Sequence, residues 1–373
     1  MEKTKIKTET KAKNFFEIMK YAGAFVAWVI GSGFATGQEI LQFFGSYSYK
    51  SIAVLVVNFF GFLVIGLILV SKGFDNKENK DFNHYRFYCG KTVGKIYSVI
   101  IPVTILLIIS VLISAAGATL NQYYSVNRYL GSIILAVLIL AAYLVGFERM
   151  VKIVSSVSPL VIIFAVFVGT FTVLRDYRSF SDIGNYTEQL SAFNAAPHWL
   201  ISSVLYISLN FLSGSAYYTE LGKTAKSKKN IKAGAILGAL ALMVTITLMT
   251  FAILLNAKHI LSVPVPTLFL AEKISGVFGT VFSVTLILGM FAASSTMVWS
   301  FCSGFFKNDK KKNKLFSVFT VAFCLVVGFT PFGNLLSVVY PMIGYAGLFF
   351  IFAVLFKGTV NKKTDKKANN KAE

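Results

Sequence analysis

Charged residues are scarce in this sequence of 373 residues: Asp, Glu, Lys and Arg together make up 14% of the chain. Hydrophobic residues make up 55%, and the mean hydropathy is +0.68. A soluble protein of this length has no interior large enough for so much apolar surface, so we expect an integral membrane protein. The net charge of +20 lies in the gaps between hydrophobic runs. This favours contact with anionic lipid and predicts no nucleic-acid partner.

The sequence also lacks the residue groups on which enzymes and metal centres depend. Its few cysteines and histidines have neither metal-ligand spacing nor an evident disulfide partner; they are Cys89, Cys302, Cys324, His84, His198 and His259. No hydrophobic segment carries a pair of acidic residues for acid–base catalysis. The glycines of the first segment do not follow a strand in a Gly-x-Gly-x-x-Gly pattern, which argues against a nucleotide loop. We therefore predict a protein that is not an enzyme and has no organic cofactor.

Ten hydrophobic segments are long enough to cross a membrane, and we number them spans 1 to 10. They cover approximately residues 15–45, 51–71, 95–120, 130–147, 150–174, 198–221, 232–256, 276–303, 315–332 and 335–356. When the loops are assigned alternately to the two sides, 30 of the 36 Lys and Arg residues lie on the side of both termini. This distribution predicts that both termini are cytoplasmic.

The most unusual stretch is Gly31-Ser-Gly-Phe-Ala-Thr-Gly-Gln-Glu39, in the middle of span 1. As one straight helix, span 1 would measure ~46 Å, against ~30 Å of hydrocarbon. Three glycines weaken a helix, and Ser32, Thr36, Gln38 and Glu39 are polar or ionisable. Lipid tolerates a broken backbone only where it is buried in protein or lines a wet cavity. We therefore predict a discontinuous helix whose freed backbone groups bind a solute, a feature typical of transporters.

Span 6 carries a second group of polar and small residues near its middle: Asn210, Ser213, Gly214 and Ser215. Two interrupted helices at corresponding positions of two five-helix halves are typical of an inverted repeat. We predict an all-α membrane protein of about ten transmembrane helices, with a five-plus-five inverted repeat and discontinuous spans 1 and 6. Its expected segments are a cytoplasmic basic N-terminus (1–14), a first repeat (15–174), an outer loop (175–197), a second repeat (198–356) and a cytoplasmic basic tail (357–373).

Span 8 contains three consecutive hydroxyl residues, Ser294, Ser295 and Thr296. Small residues of this kind also serve close helix packing, which is the ordinary interpretation of the segment taken alone. Beside a broken span 1, the hydroxyls acquire a second interpretation. A sodium ion takes several neutral oxygens as ligands, and unwound carbonyls together with two hydroxyls supply them.

With these three features, the chain resembles the amino acid–polyamine–organocation superfamily, which has the LeuT-type fold. More narrowly, the segment from Gly31 to Ile40 resembles the YkvI-like bacterial membrane proteins. The resemblance implies a bacterial cytoplasmic membrane location and a sodium position. Its ligands would be carbonyls near Ala27 and Ile30 with the hydroxyls of Ser295 and Thr296, or of Ser294 and Ser295. The implied substrate site, which includes amides around residues 32–35 and 213–215, comprises Gly31, Ser32, Gly33, Phe34, Ala35, Thr36, Gln38, Glu39, Tyr206, Ser208, Asn210, Ser213, Gly214 and Ser215.

Two ionisable residues leave the coupling ion open. Glu39 is interpreted as a proton-coupling group, an outer gate, a counter-ion for a substrate amine, or a residue already at the outer rim. Lys152 stands in span 5, where a lysine replaces sodium in proton-coupled relatives, although it also lies near enough to the interface to snorkel.

The expected function is that of a secondary active transporter for a small amino-acid-like solute, working by alternating access with sodium. Proton coupling in the same fold is one alternative. A ligand sensor or partner-binding membrane protein that transports nothing is the other. The expected partners are a small-molecule substrate and the lipid bilayer, and the oligomeric state stays open.

Overall fold

A computed structural model describes residues 2–29, 34, 36–79, 82–145, 147–303 and 310–369, and side chains within 14–29, 34, 36–79, 82–144, 160–302 and 311–358. The described chain is helical and contains no strand. Its α-helices, in chain order, are α1 (Glu2–Val29), α2 (Gln38–Phe43), α3 (Ser51–Asp75), α4 (His84–Tyr124), α5 (Arg128–Val145), α6 (Phe147–Asp176), α7 (Thr187–Ser191), α8 (Trp199–Lys223), α9 (Lys228–Leu254), α10 (Ala257–Ile260), α11 (Pro266–Ile274), α12 (Gly276–Ser303), α13 (Lys310–Gly328) and α14 (Phe332–Asn369). Two 3-10 helices, Gly45–Lys50 and Tyr177–Tyr186, lie between them.

Seven of the described helical segments are long and apolar enough to cross a membrane, and a shorter apolar helix covers Arg128–Leu144. These eight correspond to spans 2 to 8 and span 10. Span 1 is divided between α1 and α2, while span 9 corresponds to α13, which begins with a run of lysines. The chain is therefore a multi-pass membrane protein.

The long helices form two groups. In the first group α3 packs on α8, and α1 packs on α9. In the second group α12 and α13 pack on both α4 and α5. The two remaining helices connect the groups, since α6 packs on α9 and α12 while α14 packs on α8 and α4.

This packing repeats between the two halves of the chain. When α1, α3, α4, α5 and α6 are exchanged for α8, α9, α12, α13 and α14, the pair α3–α8 becomes α9–α1. Likewise α4–α14 becomes α12–α6, and α4–α13 becomes α12–α5. Each of these pairs is present, as expected for a five-plus-five repeat.

The prediction of an interruption in span 6 is wrong. Helix α8 runs unbroken from Trp199 to Lys223. The physical reason is that its polar side chains bond to carbonyls of their own helix: Asn210 Nδ2 donates to the Tyr206 carbonyl at 3.0 Å and Ser213 Oγ to the Leu209 carbonyl at 2.8 Å. Such back-bonding lets a polar residue sit in a membrane helix without opening its backbone.

Gly214 has a packing role in this unbroken helix. A Cβ atom at this position would overlap the indole ring of Trp28, with Cδ1 at 2.8 Å. The ring of Trp28 also stacks on Tyr217, with centroids 5.2 Å apart. The missing side chain therefore admits an aromatic ring of α1 against α8.

Candidate functional site

Span 1 is discontinuous, as predicted. Helix α1 ends at Val29 and α2 begins at Gln38. Gly37 precedes α2 with φ +78° and ψ −12°, a left-handed conformation that glycine adopts at little cost. A Cβ atom there would also lie 2.7 Å from Thr267 Cγ2 in α11, so the site requires glycine for two reasons. The predicted site residues Ile30, Gly31, Ser32, Gly33 and Ala35 lie outside the described part of the chain.

Helix α2 is enclosed by protein. All six of its residues are buried, and it contacts α8, α9, α11 and α14. The described residues of the preceding segment are Phe34, Thr36 and Gly37, and they are buried as well, Phe34 at 1% and Thr36 at 0% exposure. Of the polar residues that interrupt span 1, the described ones (Thr36, Gln38 and Glu39) therefore face the protein interior and not lipid.

Glu39, in the first turn of α2, is the most unusual of these residues. Its side chain is 5% exposed, and within the described residues it forms no ion pair. The hydroxyl groups of Tyr206 in α8 and Tyr340 in α14 lie near its carboxyl group. The Tyr206 hydroxyl is buried and makes no well-formed hydrogen bond among the described residues, so it lies beside the carboxyl group without being held firmly to it.

Two glutamines extend this polar surface along α2. The amide nitrogen of Gln42 donates to the Ser337 carbonyl of α14 at 3.3 Å. The amide oxygens of Gln38 and Gln42 are buried and have no hydrogen-bond partner among the described residues. Buried oxygens without donors are unusual in a folded protein and indicate a place where a ligand or water belongs.

The residues predicted in α8 do not form one site. Tyr206 lies beside Glu39, but Ser208 Oγ donates to the Gly344 carbonyl of α14 at 2.6 Å. Ser215 Oγ is bonded instead to the Tyr85 hydroxyl at 2.9 Å and lies 3.0 Å from His84 Nε2. These hydroxyls join α8 to α14 and to the start of α4, so their surroundings are those of packing contacts.

Two of the hydroxyl residues of α12 meet one requirement of a cation site, because their oxygen atoms are buried in the protein. Ser294 and Ser295 are 0% and 1% exposed, and neither Oγ atom has a hydrogen-bond partner among the described residues. Thr296 Oγ1 donates back to the Ala293 carbonyl at 2.8 Å. Ala27 is half-buried in α1, which packs mainly on α9, α8 and α6; α6 also packs on α12.

The sequence interpretation missed Gln42 and Tyr340. Gln42 has a local signal, because it follows Gln38 by four residues and so lies on the same face of a helix. Tyr340 has none, since it approaches Glu39 only through the packing of α14 on α2 and α8. The side chain of Lys152 lies outside the described side chains.

No family model matches the sequence. The chain is 28% identical over 356 residues to the uncharacterised membrane protein YkvI of Bacillus subtilis, a match that covers 92% of this chain and 96% of YkvI. It is 24% identical over 354 residues to YyaD of the same organism, with 92% and 98% covered.

Solved transporter structures share the fold. The inward-facing conformation of Mhp1 matches with a TM-score of 0.54 at 11% identity, covering 90% of this chain and 75% of Mhp1. MhsT in complex with L-phenylalanine matches with a TM-score of 0.50 at 10% identity, covering 86% and 79%. A manganese transporter of Eremococcus coleocola matches with a TM-score of 0.50 at 14% identity, covering 86% and 75%. These structures show the fold: the chain is a multi-pass membrane protein with the LeuT-type fold, and it is similar over nearly its whole length to YkvI.

Proposed function

We propose that this protein is a secondary active transporter that moves a small amino-acid-like solute across the bacterial cytoplasmic membrane by alternating access. The observation that carries the proposal is the break in span 1, whose flanking polar residues are enclosed by protein. A broken membrane helix loses backbone hydrogen bonds, and it persists where a ligand or cavity satisfies them. The LeuT-type fold supports the proposal, as does the amino acid L-phenylalanine bound in the MhsT structure.

The outer end of span 1 is closed. Ser202 Oγ of α8 donates to the Phe43 carbonyl at 3.0 Å, and the Ala195 amide donates to the Gln42 carbonyl at 3.2 Å. The Tyr47 hydroxyl donates to the carbonyl of Ala196 in the same outer segment. Opening toward the outside would break these bonds together, so we assign α2 and the segment before α8 to the outer gate.

We propose sodium as the coupling ion, bound by the hydroxyls of Ser294 and Ser295 with carbonyls of α1 near Ala27 and Ile30. The support is the pair of buried serine oxygens without partners, because neutral oxygens suit a monovalent cation. Helix α6 contacts both α1 and α12. Binding of the ion would therefore accompany a closer approach of the inner half of span 1 to α12.

Uptake into proteoliposomes tests this proposal. Amino acids would be supplied to the outside under an inward sodium gradient, with choline as the sodium-free control. We expect uptake that depends on sodium and is abolished when Ser294 and Ser295 are both replaced by alanine. Ser283→Ala is the control, because Ser283 is a buried serine of the same helix whose Oγ already has two partners, the Thr280 carbonyl at 2.8 Å and the Tyr124 hydroxyl at 2.8 Å.

Proton coupling is a second candidate, and the buried carboxyl of Glu39, which forms no ion pair with a described residue, favours it. It predicts uptake that follows a pH gradient in choline buffer and stops in Glu39→Gln. Specific binding of a solute without uptake under either gradient would instead favour a ligand sensor. For topology, we propose that both termini are cytoplasmic, which labelling of introduced cysteines with an impermeant maleimide in whole cells tests.

A further inference from the structure

The buried polar surface of α2 consists of hydrogen-bond acceptors. Glu39, Gln38 and Gln42 are 5%, 5% and 2% exposed, and within the described chain no basic side chain pairs with the carboxyl group. Gln42 neighbours both other residues on the helix surface, because it follows Glu39 by three positions and Gln38 by four. One turn of helix therefore presents the side chain of Gln42 between a carboxylate and a second amide.

The orientation of the amides follows from their surroundings. Gln42 Nε2 is bound to the Ser337 carbonyl of α14, so the opposite atom of that amide is the oxygen. The Gln38 amide also lies toward α14, since a Cβ atom at Gly333 would be 3.9 Å from its nitrogen. Among the described residues, neither amide oxygen has a hydrogen-bond donor. The two amide oxygens of this surface therefore require hydrogen-bond donors.

The charge of the site restricts the ligand further. The titratable groups near Glu39 are the hydroxyls of Tyr206 and Tyr340, which carry no positive charge. Within the described part no group of three or more His, Cys, Asp and Glu side chains exists, and the single negative charge of Glu39 would balance only half the charge of a divalent metal ion. One carboxylate with two neutral oxygens suits a single monovalent cation that donates hydrogen bonds.

We propose that Glu39, Gln38 and Gln42 bind the ammonium group of the transported solute. An alkylammonium group has three N–H donors, which match one carboxylate and two amide oxygens. The inference rests on the proposed transport function and specifies its substrate class: the solute carries a protonated amine. Because these oxygens lie on α2, at the closed outer gate, the amine binds where gate opening would expose it.

Ligand-induced thermal stabilisation of the purified full-length protein tests the inference. Each standard amino acid would be compared with its N-acetyl derivative, and the corresponding decarboxylated amines, such as phenethylamine for L-phenylalanine, would be included. We expect stabilisation by free amines and amino acids, with apparent affinity on the order of 10- to 100-fold lower after N-acetylation, because a hydrogen-bonded charge is lost. This comparison uses the wild-type protein and needs no variant.

Variants then assign the effect to the carboxylate. Glu39→Gln should weaken binding of amines and amino acids by a similar factor, and Gln42→Leu should weaken it less. Glu272→Gln is the control, because Glu272 is exposed on α11, which contacts α2. It should bind as the wild type does.

Three outcomes would overturn the assignment. One is equal stabilisation by amino acids and their N-acetyl derivatives, and another is unchanged amine affinity in Glu39→Gln. The third is a loss in Glu39→Gln of stabilisation by sodium chloride alone, which would identify an inorganic cation as the ligand. All three outcomes are compatible with sodium-driven uptake. If the transport proposal itself were wrong, the protein would bind amines but would not take them up into proteoliposomes.

Discussion

The crossing of α3 and α8 provides a quantitative test of the fold, because it depends on two glycines. A Cβ atom at Gly73 would overlap the carbonyl group of Thr219, with the carbonyl carbon at 2.9 Å. A Cβ atom at Gly222 would overlap the carbonyl group of Val70 and lie 3.0 Å from the amide nitrogen of Phe74. The obstacle in both cases is helical backbone, which cannot rotate aside as a side chain does.

The size of the effect follows from these distances. Carbon atoms pack at about 3.5–4.0 Å, so a methyl group at either position must push the helices apart by at least about 0.6 Å. A gap of about 0.5–1 Å forfeits a quarter to a half of the dispersion energy of the atoms that face each other across it. We therefore expect Gly73→Ala and Gly222→Ala each to lower the free energy of unfolding by about 1–3 kcal/mol.

The double variant gives the sharper prediction. One displacement of α3 from α8 relieves both overlaps, so Gly73→Ala with Gly222→Ala should cost clearly less than the sum of the two single changes. The assay is reversible unfolding in mixed micelles, followed by tryptophan fluorescence. Gly23→Ala is the control, because a Cβ atom there meets nothing within 4 Å, and this variant should be at least as stable as the wild type. Strict additivity, or a Gly222→Ala variant within about 0.5 kcal/mol of the wild type, would refute this account of the crossing.

Three further changes test other parts of the structure. Gly37→Ala would place an alanine in the left-handed conformation, which costs about 1–2 kcal/mol, and would press its Cβ atom against Thr267. We expect a folded protein whose uptake in proteoliposomes is at least about tenfold slower. Ser215→Ala would leave the buried His84 ring without its hydroxyl contact, and thermal melting should show a loss of about 1–3 kcal/mol. Asp176→Asn would remove the ion pairs of Asp176 with Arg175 at 2.9 Å and with Lys273 at 3.0 Å at the end of α6. The melting temperature should fall slightly, corresponding to a loss of about 1 kcal/mol or less in stability, and the fall should be smaller in 1 M KCl.

The break in span 1 could be predicted because its causes are local. Gly37 has a positive φ, and the polar residues after it interrupt an apolar run at positions that a continuous lipid-facing helix would not tolerate. The long hydrophobic runs, likewise a local property, allowed most of the spans to be located before the fold was known.

The same kind of pattern gave the wrong prediction for span 6. Asn210, Ser213 and Gly214 resemble a break in sequence, yet two of them bond to carbonyls one turn earlier and the third admits the ring of Trp28. Polar and small residues in a membrane helix thus have two uses, opening the backbone or packing another helix closely. The sequence does not distinguish them, because the partner that decides between them comes from a distant part of the chain.

This difference between spans 1 and 6 affects how a solute is bound. In a repeat with both helices broken, backbone groups from each half are available to the ligand. Here α8 keeps its helical backbone hydrogen bonds, and span 1 supplies the break. Ligand binding therefore depends more on side chains. Within the described part of the protein, the buried side chains of α2 provide a carboxylate without an ion pair and two amide oxygens without a hydrogen-bond partner. A buried carboxylate without a cation is costly, so its retention at the break is best explained by a cationic group that arrives with the solute.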